Sequence, residues 1–280
     1  MYKLSLSTGC SCPNRDAAGR RGCIFCDGAG AFAAAGPIEQ QLLEARQRVA
    51  AKLKHPAKYI AYFQSFTNTY APAAQLEPLF RAAMAPEDVV ALSIATRPDC
   101  LGPDILALLE ACNRVKPVWV ELGLQTIHPE TARYIRRGYD LPVFDAAVQA
   151  LKARGLTVIV HQILGLPGET PAQMAETARY IGHSGADGIK LHLLHVLRGT
   201  DLAAAWQAGQ VAELSLAEYI SALELCVESL PRSMVIHRLT GDGAKRDLLA
   251  PLWSGDKKRV LNAIHQAFQR DDVEQGRRFF

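Results

Sequence analysis

The sequence predicts an α/β fold in which helices cover a parallel sheet, and three observations carry that prediction. Short β-rich runs alternate with amphipathic stretches up to about residue 200, Gly and Pro punctuate the boundaries, and the later strands are polar on one face and apolar on the other. A chain of 280 residues is long enough to bury a full core. Its 49% apolar and 21% charged composition is that of a globular protein, not a disordered or fibrous one. No apolar run approaches the roughly 18 residues that a membrane span needs. The stretch Met1–Gly9 lacks the apolar segment of a secretory signal and leads straight into cysteines, so a cytosolic protein without a membrane partner is expected.

Strands are expected near 2–7, 58–64, 88–95, 117–123, 157–164 and 187–194, with helices near 38–54, 74–84, 103–115, 130–152 and 171–184. Gly36-Pro37 and Gly102-Pro103 precede the first and third helices, while Gly155 and Gly185 follow the fourth and fifth. Six parallel strands with outer helices form either an open doubly wound sheet or a partial barrel, and the pattern does not separate the two. In Val118–Gln125, Val118, Val120, Leu122 and Leu124 share one face, and Trp119, Glu121, Gly123 and Gln125 share the other. Lys190 and His192 share a face opposite Leu191 and Leu193. In a helix-covered sheet such polar faces line an interior site. His195 has the opposite parity and is expected to be structural.

Beyond residue 200 the alternation ends, and helices are expected near 201–208 and 215–230. Residues 231–280 read as a loop followed by a helix near 256–270, an extension packed on a core of residues 1–230. The net charge is +3, but residues 231–280 hold ten Lys or Arg against six Asp or Glu, a local excess of +4. That excess suits either a solvated face or contact with a phosphate-bearing substrate.

Four of the seven cysteines, Cys10, Cys12, Cys23 and Cys26, lie between positions 10 and 26, in a cluster-binding loop region spanning 1–30. An odd count in a reducing compartment argues against a disulfide framework and for thiolate ligation of a metal or Fe–S centre. Cys100, Cys112 and Cys226 are expected to be small buried hydrophobes. Four thiolates would suit structural zinc, although four-cysteine zinc sites usually pair two C-x-x-C knuckles and the upstream pair here is C-x-C. Three thiolates on a cubane would leave one iron open. The spacing leaves both readings standing.

In Cys12-x10-Cys23-Ile-Phe25-Cys26 an aromatic residue immediately precedes the last cysteine, and the segment resembles the cluster loop of the radical S-adenosylmethionine (SAM) superfamily. The first gap is longer than that family's usual three residues, as in the branch of the elongator catalytic subunit and in the YtqA/YhcC-like group. Resemblance to that group extends through Cys12-Pro-Asn-Arg-Asp16, Glu121–Thr126, Leu164-Gly-Leu-Pro-Gly-Glu169, Lys190–His195 and His237–Gly243. It implies a partial (βα)6 parallel barrel of the radical SAM type. It further implies that Cys12, Cys23 and Cys26 bind three irons of a [4Fe-4S] cluster, SAM chelates the fourth, and Cys10 stands aside.

The same resemblance implies that Phe25 packs near the adenine and that Gln64 and Ser65, at the end of the second strand, hold the methionyl amine. Glu121 and Gln125 would hydrogen-bond the ribose or methionyl part, and the Gly165–Gly168 turn would pass close to the adenine. Arg97 would contact a carboxylate or phosphate, unless it forms a structural ion pair. Arg137-Gly138 resembles an Arg-Gly of the elongator-like branch. Lys190 and His192 are the candidates for substrate contact and proton handling. The implied reaction is reductive cleavage of SAM to a 5′-deoxyadenosyl radical, with electrons from a flavodoxin- or ferredoxin-type donor. The implied substrate is tRNA, at the side chain on C5 of the wobble uridine. Two alternatives stay open: a small-molecule or peptide substrate, and a non-catalytic zinc-binding module that recognises RNA or protein.

Overall fold

The structure, a computed structural model, describes residues 1–15, 22–27, 36–51, 57–241, 243 and 245–280. Asp16 of the cysteine motif, Gly19, positions 52–54 of the first expected helix and Asp242 lie outside the described residues. The expected alternation is present: β1 (Tyr2–Leu6), α1 (Ile38–Ala50), β2 (Tyr59–Phe63), α2 (Ala73–Met84), β3 (Val89–Thr96), α3 (Pro103–Asn113) and β4 (Val118–Gln125). There follow α4 (Pro129–Tyr134), α5 (Leu141–Lys152), β5 (Thr157–Leu164), α6 (Pro171–His183) and β6 (Gly188–Leu193). The chain continues through β7 (Val196–Leu197), α7 (Asp201–Gln207), α8 (Leu216–Glu228), β8 (Val235–Arg238), β9 (Leu248–Ala250) and α9 (Lys257–Arg270).

Two expectations need correction. The single helix expected over 130–152 is two helices, because Arg136 (φ 56°) and Gly138 (φ 84°) adopt left-handed conformations that an α-helix cannot pass through. Residues 231–255, expected to be a loop, contain β8 and β9. β8 is the seventh strand of a sheet ordered β1-β2-β3-β4-β5-β6-β8, so the six expected strands were one too few. Its four residues, Val-Ile-His-Arg, are too short and too polar to leave a periodic signal. β1–β2, β2–β3, β3–β4 and β6–β8 pair in parallel, and β7–β9 form an antiparallel ribbon.

The chain divides into two compact units, one of residues 1–20, 28–123 and 142–159, the other of residues 21–27, 124–141 and 160–280. In the first, Leu4, Leu6, Phe63, Phe80, Leu92, Ile94, Val120 and Leu122 are fully buried. The Phe63 and Phe80 rings meet edge-on at 5.2 Å. Lys116 fastens the end of α2 to the start of β3: its ammonium donates to the carbonyls of Met84 (2.5 Å), Pro86 (2.8 Å) and Val89 (2.7 Å). Lys116→Met keeps the stem but orphans three acceptors. It is expected to cost about 2 kcal/mol, read as a lower urea midpoint with an unchanged slope.

In the second unit, Ile24, Ile135, Leu166, Leu194, Val196, Leu202 and Val211 form one buried cluster. α6 and α8 each open with a capping box, Thr170 with Gln173 and Ser215 with Glu218, so local sequence sets both starts. The C-terminal tail is tied to α8, where buried Glu228 accepts from Arg278 (2.5 Å) and Arg277 (3.4 Å). No helix among the described residues is long and apolar enough to cross a membrane.

Candidate active site

The second unit contains a cavity of about 250 Å³ lined by Phe25, Gln125, His161, Ile163, His192, Leu193, Leu194 and His195. Three of the expected residues, Phe25, Gln125 and His192, meet there. His161 was missed by sequence reasoning. It shares a face of β5 with Ile163, and its ring lies 4.9 Å from that of His192 at 42°. The available signal was a histidine in a largely apolar strand next to the strand that carries His192.

His195 lines the same cavity, contrary to its expected parity, because β6 ends at Leu193 and strand alternation no longer holds two residues later. Its ring is packed by the glycines of the His237–Gly243 segment. A Cβ on Gly241 would collide with the imidazole, and one on Gly243 would touch it at 3.3 Å. Likewise Gly188 makes room for the ring of His237, which a Cβ would meet at 2.7 Å. The two motifs at Lys190–His195 and His237–Gly243 therefore fit together through side chains on glycines. Lys190 is buried, only 4% exposed, opposite Arg238 of β8.

Gln125 ends β4 with φ 71°. Around it, the Arg137 guanidinium donates to the carbonyls of Thr126 (2.6 Å), Leu124 (3.3 Å) and Tyr139 (3.0 Å). The Thr126 hydroxyl donates to Glu169 at 2.5 Å. Burial pushes the Glu169 carboxyl above the usual carboxylate range, opposed by the Thr126 hydrogen bond, His128 and Thr131. Gly165 (φ 85°) and Gly168 (φ 84°) shape the turn before Glu169, and a Cβ on Gly165 would press on Leu214 at 3.1 Å.

Cys23 and Cys26 bracket a tight turn closed by Cys26 N–H to Cys23 C=O (3.0 Å). Ile24 anchors that turn in the buried cluster. Its N–H donates to Ile135 C=O (3.2 Å) and its C=O accepts from Leu202 N–H (2.9 Å). Both thiols are half-buried and outside any disulfide, and Cys23 Sγ approaches the Arg136 carbonyl at 3.6 Å. Accessible thiols held three residues apart suit thiolate ligation. By contrast Cys112 and Cys226 are buried, and burial raises both thiols above the ordinary range. Among the described residues no three His, Cys, Asp or Glu converge as ligands of a single metal ion. Thiolates of a cubane each take a different iron, so a cluster does not ask for such convergence.

The remaining candidates lie in the first unit. Cys10 and Cys12 are free and half-buried. The segment before them is held by Gln41, whose amide bonds both N–H (2.8 Å) and C=O (3.1 Å) of Ser7, and by Asn68, which accepts from Thr8 (3.0 Å). Half-buried Cys100 has its thiol pushed up to about 12 by burial, with Asp99 adding to the rise, Arg97 opposing it and Cys12 adding a smaller push. Gln64 accepts from Ser5 at 3.4 Å, and Ser65 beside it is buried. Arg97 makes a bidentate pair with Asp99 (2.9 and 2.7 Å), the structural alternative weighed for it. Buried Glu121 accepts from Lys3 (2.7 Å), Ser93 (2.7 Å) and Tyr62 (2.8 Å), which balances its charge within the sheet.

The Radical SAM superfamily matches residues 10–181, and the Radical_SAM C-terminal domain matches residues 186–270. The chain is 40% identical to YtqA of Bacillus subtilis (strain 168) over all of its length and 88% of that protein. It is 38% identical to YhcC of Escherichia coli (strain K12) over 90% of its length and 82% of that protein. It is 28% identical to the tRNA uridine(34) acetyltransferase of Methanocaldococcus jannaschii, over 55% of this chain and 28% of that one. Among solved structures, Methanocaldococcus infernus Elp3 superposes with a TM-score of 0.74 at 18% identity, covering 85% of this chain and 60% of that one. The chain belongs to the radical SAM superfamily, with that family's α/β partial-barrel fold, and it is a radical SAM enzyme whose cofactors are a [4Fe-4S] cluster and SAM.

Proposed function

We propose that this enzyme modifies tRNA in the cytosol, at the side chain on C5 of the wobble uridine. The observation that carries the reading is the similarity to an enzyme named for uridine 34 of tRNA. Its complete reaction is not carried over, because this chain spans only 28% of its length.

In this reading Cys12, Cys23 and Cys26 hold the cluster and Cys10 does not. When bound, the cluster supplies the one-electron reduction by which SAM is cleaved, drawing on a flavodoxin- or ferredoxin-type donor. Phe25 offers a ring face to the adenine, while Gln125 and the Gly165–Gly168 turn bound its site. Gln64 and Ser65 are assigned to the methionyl end, while Arg97 is engaged by Asp99 and Glu121 braces the sheet through Lys3, Ser93 and Tyr62. Lys190 and His192 serve the substrate. His192 and His161 set two imidazoles in one cavity, and imidazole is the side chain that ordinarily exchanges protons near neutral pH. The apolar walls from Ile163, Leu193 and Leu194 keep water from the reacting atoms.

A groove along α9 supports a polyanionic substrate. It is lined by Lys258, Arg259, Asn262 and Gln266, beside Asp256 and Leu216. Among the described residues these two cations form no ion pair, and Asp256 is engaged in capping α9. Mass spectrometry of tRNA nucleosides from a deletion strain tests the substrate: loss or accumulation of a wobble-uridine derivative is expected, and an unchanged profile overturns the reading. K258Q/R259Q is expected to reduce the slope of log affinity for tRNA against log salt by about 1.4 to 1.8, the contribution of two phosphate contacts.

A further inference from the structure

We propose that the surface beside the Cys23–Cys26 turn, carried by Arg133, Tyr134 and Arg198, is the docking face for the small acidic protein that delivers electrons to the cluster. One residue holds that turn between two neighbouring segments. Ile24 N–H donates to Ile135 C=O (3.2 Å) at the end of α4, and Ile24 C=O accepts from Leu202 N–H (2.9 Å) in the first turn of α7. An ion pair between Arg136 and Asp201 ties the same two segments to each other. The end of α4 and the start of α7 therefore flank the two thiols. The Arg136 carbonyl also lies 3.6 Å from Cys23 Sγ, so the main chain of an exposed residue touches a thiol assigned to the cluster. A redox protein seated on these segments has a short path to that thiol.

What the two segments show to solvent suits an acidic partner. In Ala132-Arg133-Tyr134-Ile135 the first and last residues are buried, which leaves the two between them facing outward. Tyr134 is 45% exposed and makes no hydrogen bond among the described residues. Arg133 is exposed and its Nε donates to the Pro129 carbonyl of its own helix (3.3 Å), but among the described residues it forms no ion pair. Arg198, three residues before Asp201, is exposed and likewise without an ion pair among the described residues, and its N–H donates to Asp247 C=O (2.7 Å). Of the acids nearby, Asp201 is engaged by Arg136, and Glu130 lies back in the first turn of α4. Exposed Tyr beside Arg is the composition that protein interfaces favour. Redox encounters are small in area and steered by charge, which two uncommitted cations supply. In the encounter the donor's reduced centre loses one electron and the oxidised cluster gains it, with no bond made and no proton moved.

The test uses the reconstituted enzyme, with reduced flavodoxin as the probe and dithionite as the chemical control. It reads flavodoxin affinity by titration calorimetry, the second-order rate at which the cluster bleaches, and thermal midpoint. R133E/R198E is expected to slow reduction by flavodoxin about ten-fold at low salt, with the difference gone at about 1 M salt. Y134A is expected to weaken flavodoxin binding about ten-fold. Iron content, thermal midpoint and bleaching by dithionite should match the wild type in both, because the three side chains are exposed. R232E/R270E reverses two charges elsewhere in the same unit, 72% and 73% exposed, and is expected to leave reduction by flavodoxin unchanged. The proposal rests on the reading that a flavodoxin- or ferredoxin-type protein supplies the electrons. If both proteins fail to reduce a wild-type cluster that dithionite reduces, that reading falls and the docking face with it. If the wild type is reduced and R133E/R198E and Y134A are reduced as fast, the face is overturned and the reading stands. The face is equally overturned if R232E/R270E slows reduction as much, or if R133E/R198E weakens tRNA binding alone.

Discussion

Replacing Cys12, Cys23 or Cys26 singly by Ala is expected to abolish activity and to leave anaerobically reconstituted protein almost free of iron. C10A is expected to retain the brown colour, the iron content and the spectrum of the wild type. The asymmetry follows from what each thiol has to do. Three thiolates and SAM complete the coordination of a [4Fe-4S] cubane, so losing one thiolate leaves an iron open to solvent and the cluster labile. Colour, iron content and spectra separate this from a simple loss of packing, because the three side chains are half-buried and contribute little to the core. Equal iron binding by wild type and by the triple variant would remove these residues from the cluster. A colourless protein that took up zinc in their place would revive the zinc module set against the cluster at the outset.

Periodicity carried the fold as far as the chain was regular. The strands that became β1 to β6 were legible because each is a short β-rich run, continuous or alternating in its apolar residues, and most are bounded by Gly or Pro. β8 was not: four residues with no buried member among them carry no hydrophobic signal, and what seats the strand is pairing to β6 with the His237 ring over Gly188. The break between α4 and α5 was hidden for a different reason. Arg136 adopts positive φ although nothing in an arginine side chain announces it, and only Gly138 was a local signal. Capping boxes lay open to reading at α6 and α8, where Ser or Thr and Gln or Glu stand three residues apart.

The candidate site divides in a similar way. Types of residue at alternating positions were enough to bring Gln125 and His192 to one cavity, together with Phe25 from the cysteine turn. Parity failed at His195 because it presumes that the strand continues. Partners across long sequence separations were invisible. Glu121 was legible as an acid on the polar face of its strand, yet its partner Lys3, 118 positions away, could not be named from pattern alone. Arg137 stood out in the sequence without a role, since the carbonyls it holds belong to a turn whose conformation no residue type declares.

Gly241→Ala is expected to destabilise the protein by about 1–3 kcal/mol and to lower kcat/KM by about 10²-fold, although Gly241 has no side chain to contribute. The added Cβ collides with the His195 imidazole and comes within 3.3 Å of the Leu193 carbonyl, so the ring must give way. The ring lines the cavity, and moving it by the order of an ångström displaces whatever it orients. A double-mutant cycle with H195A separates the two consequences. Removing the imidazole from G241A relieves the collision, so the double variant should be more stable than the sum of the single changes, read from urea midpoints. Its activity should stay low if His195 acts in the cavity. Recovery of activity along with stability would instead make His195 a packing residue. Gly168→Ala is the control: nothing lies within 4 Å of its Cβ, and φ 84° makes the penalty one of backbone strain alone. It should therefore lose stability without the recovery that H195A brings to Gly241→Ala.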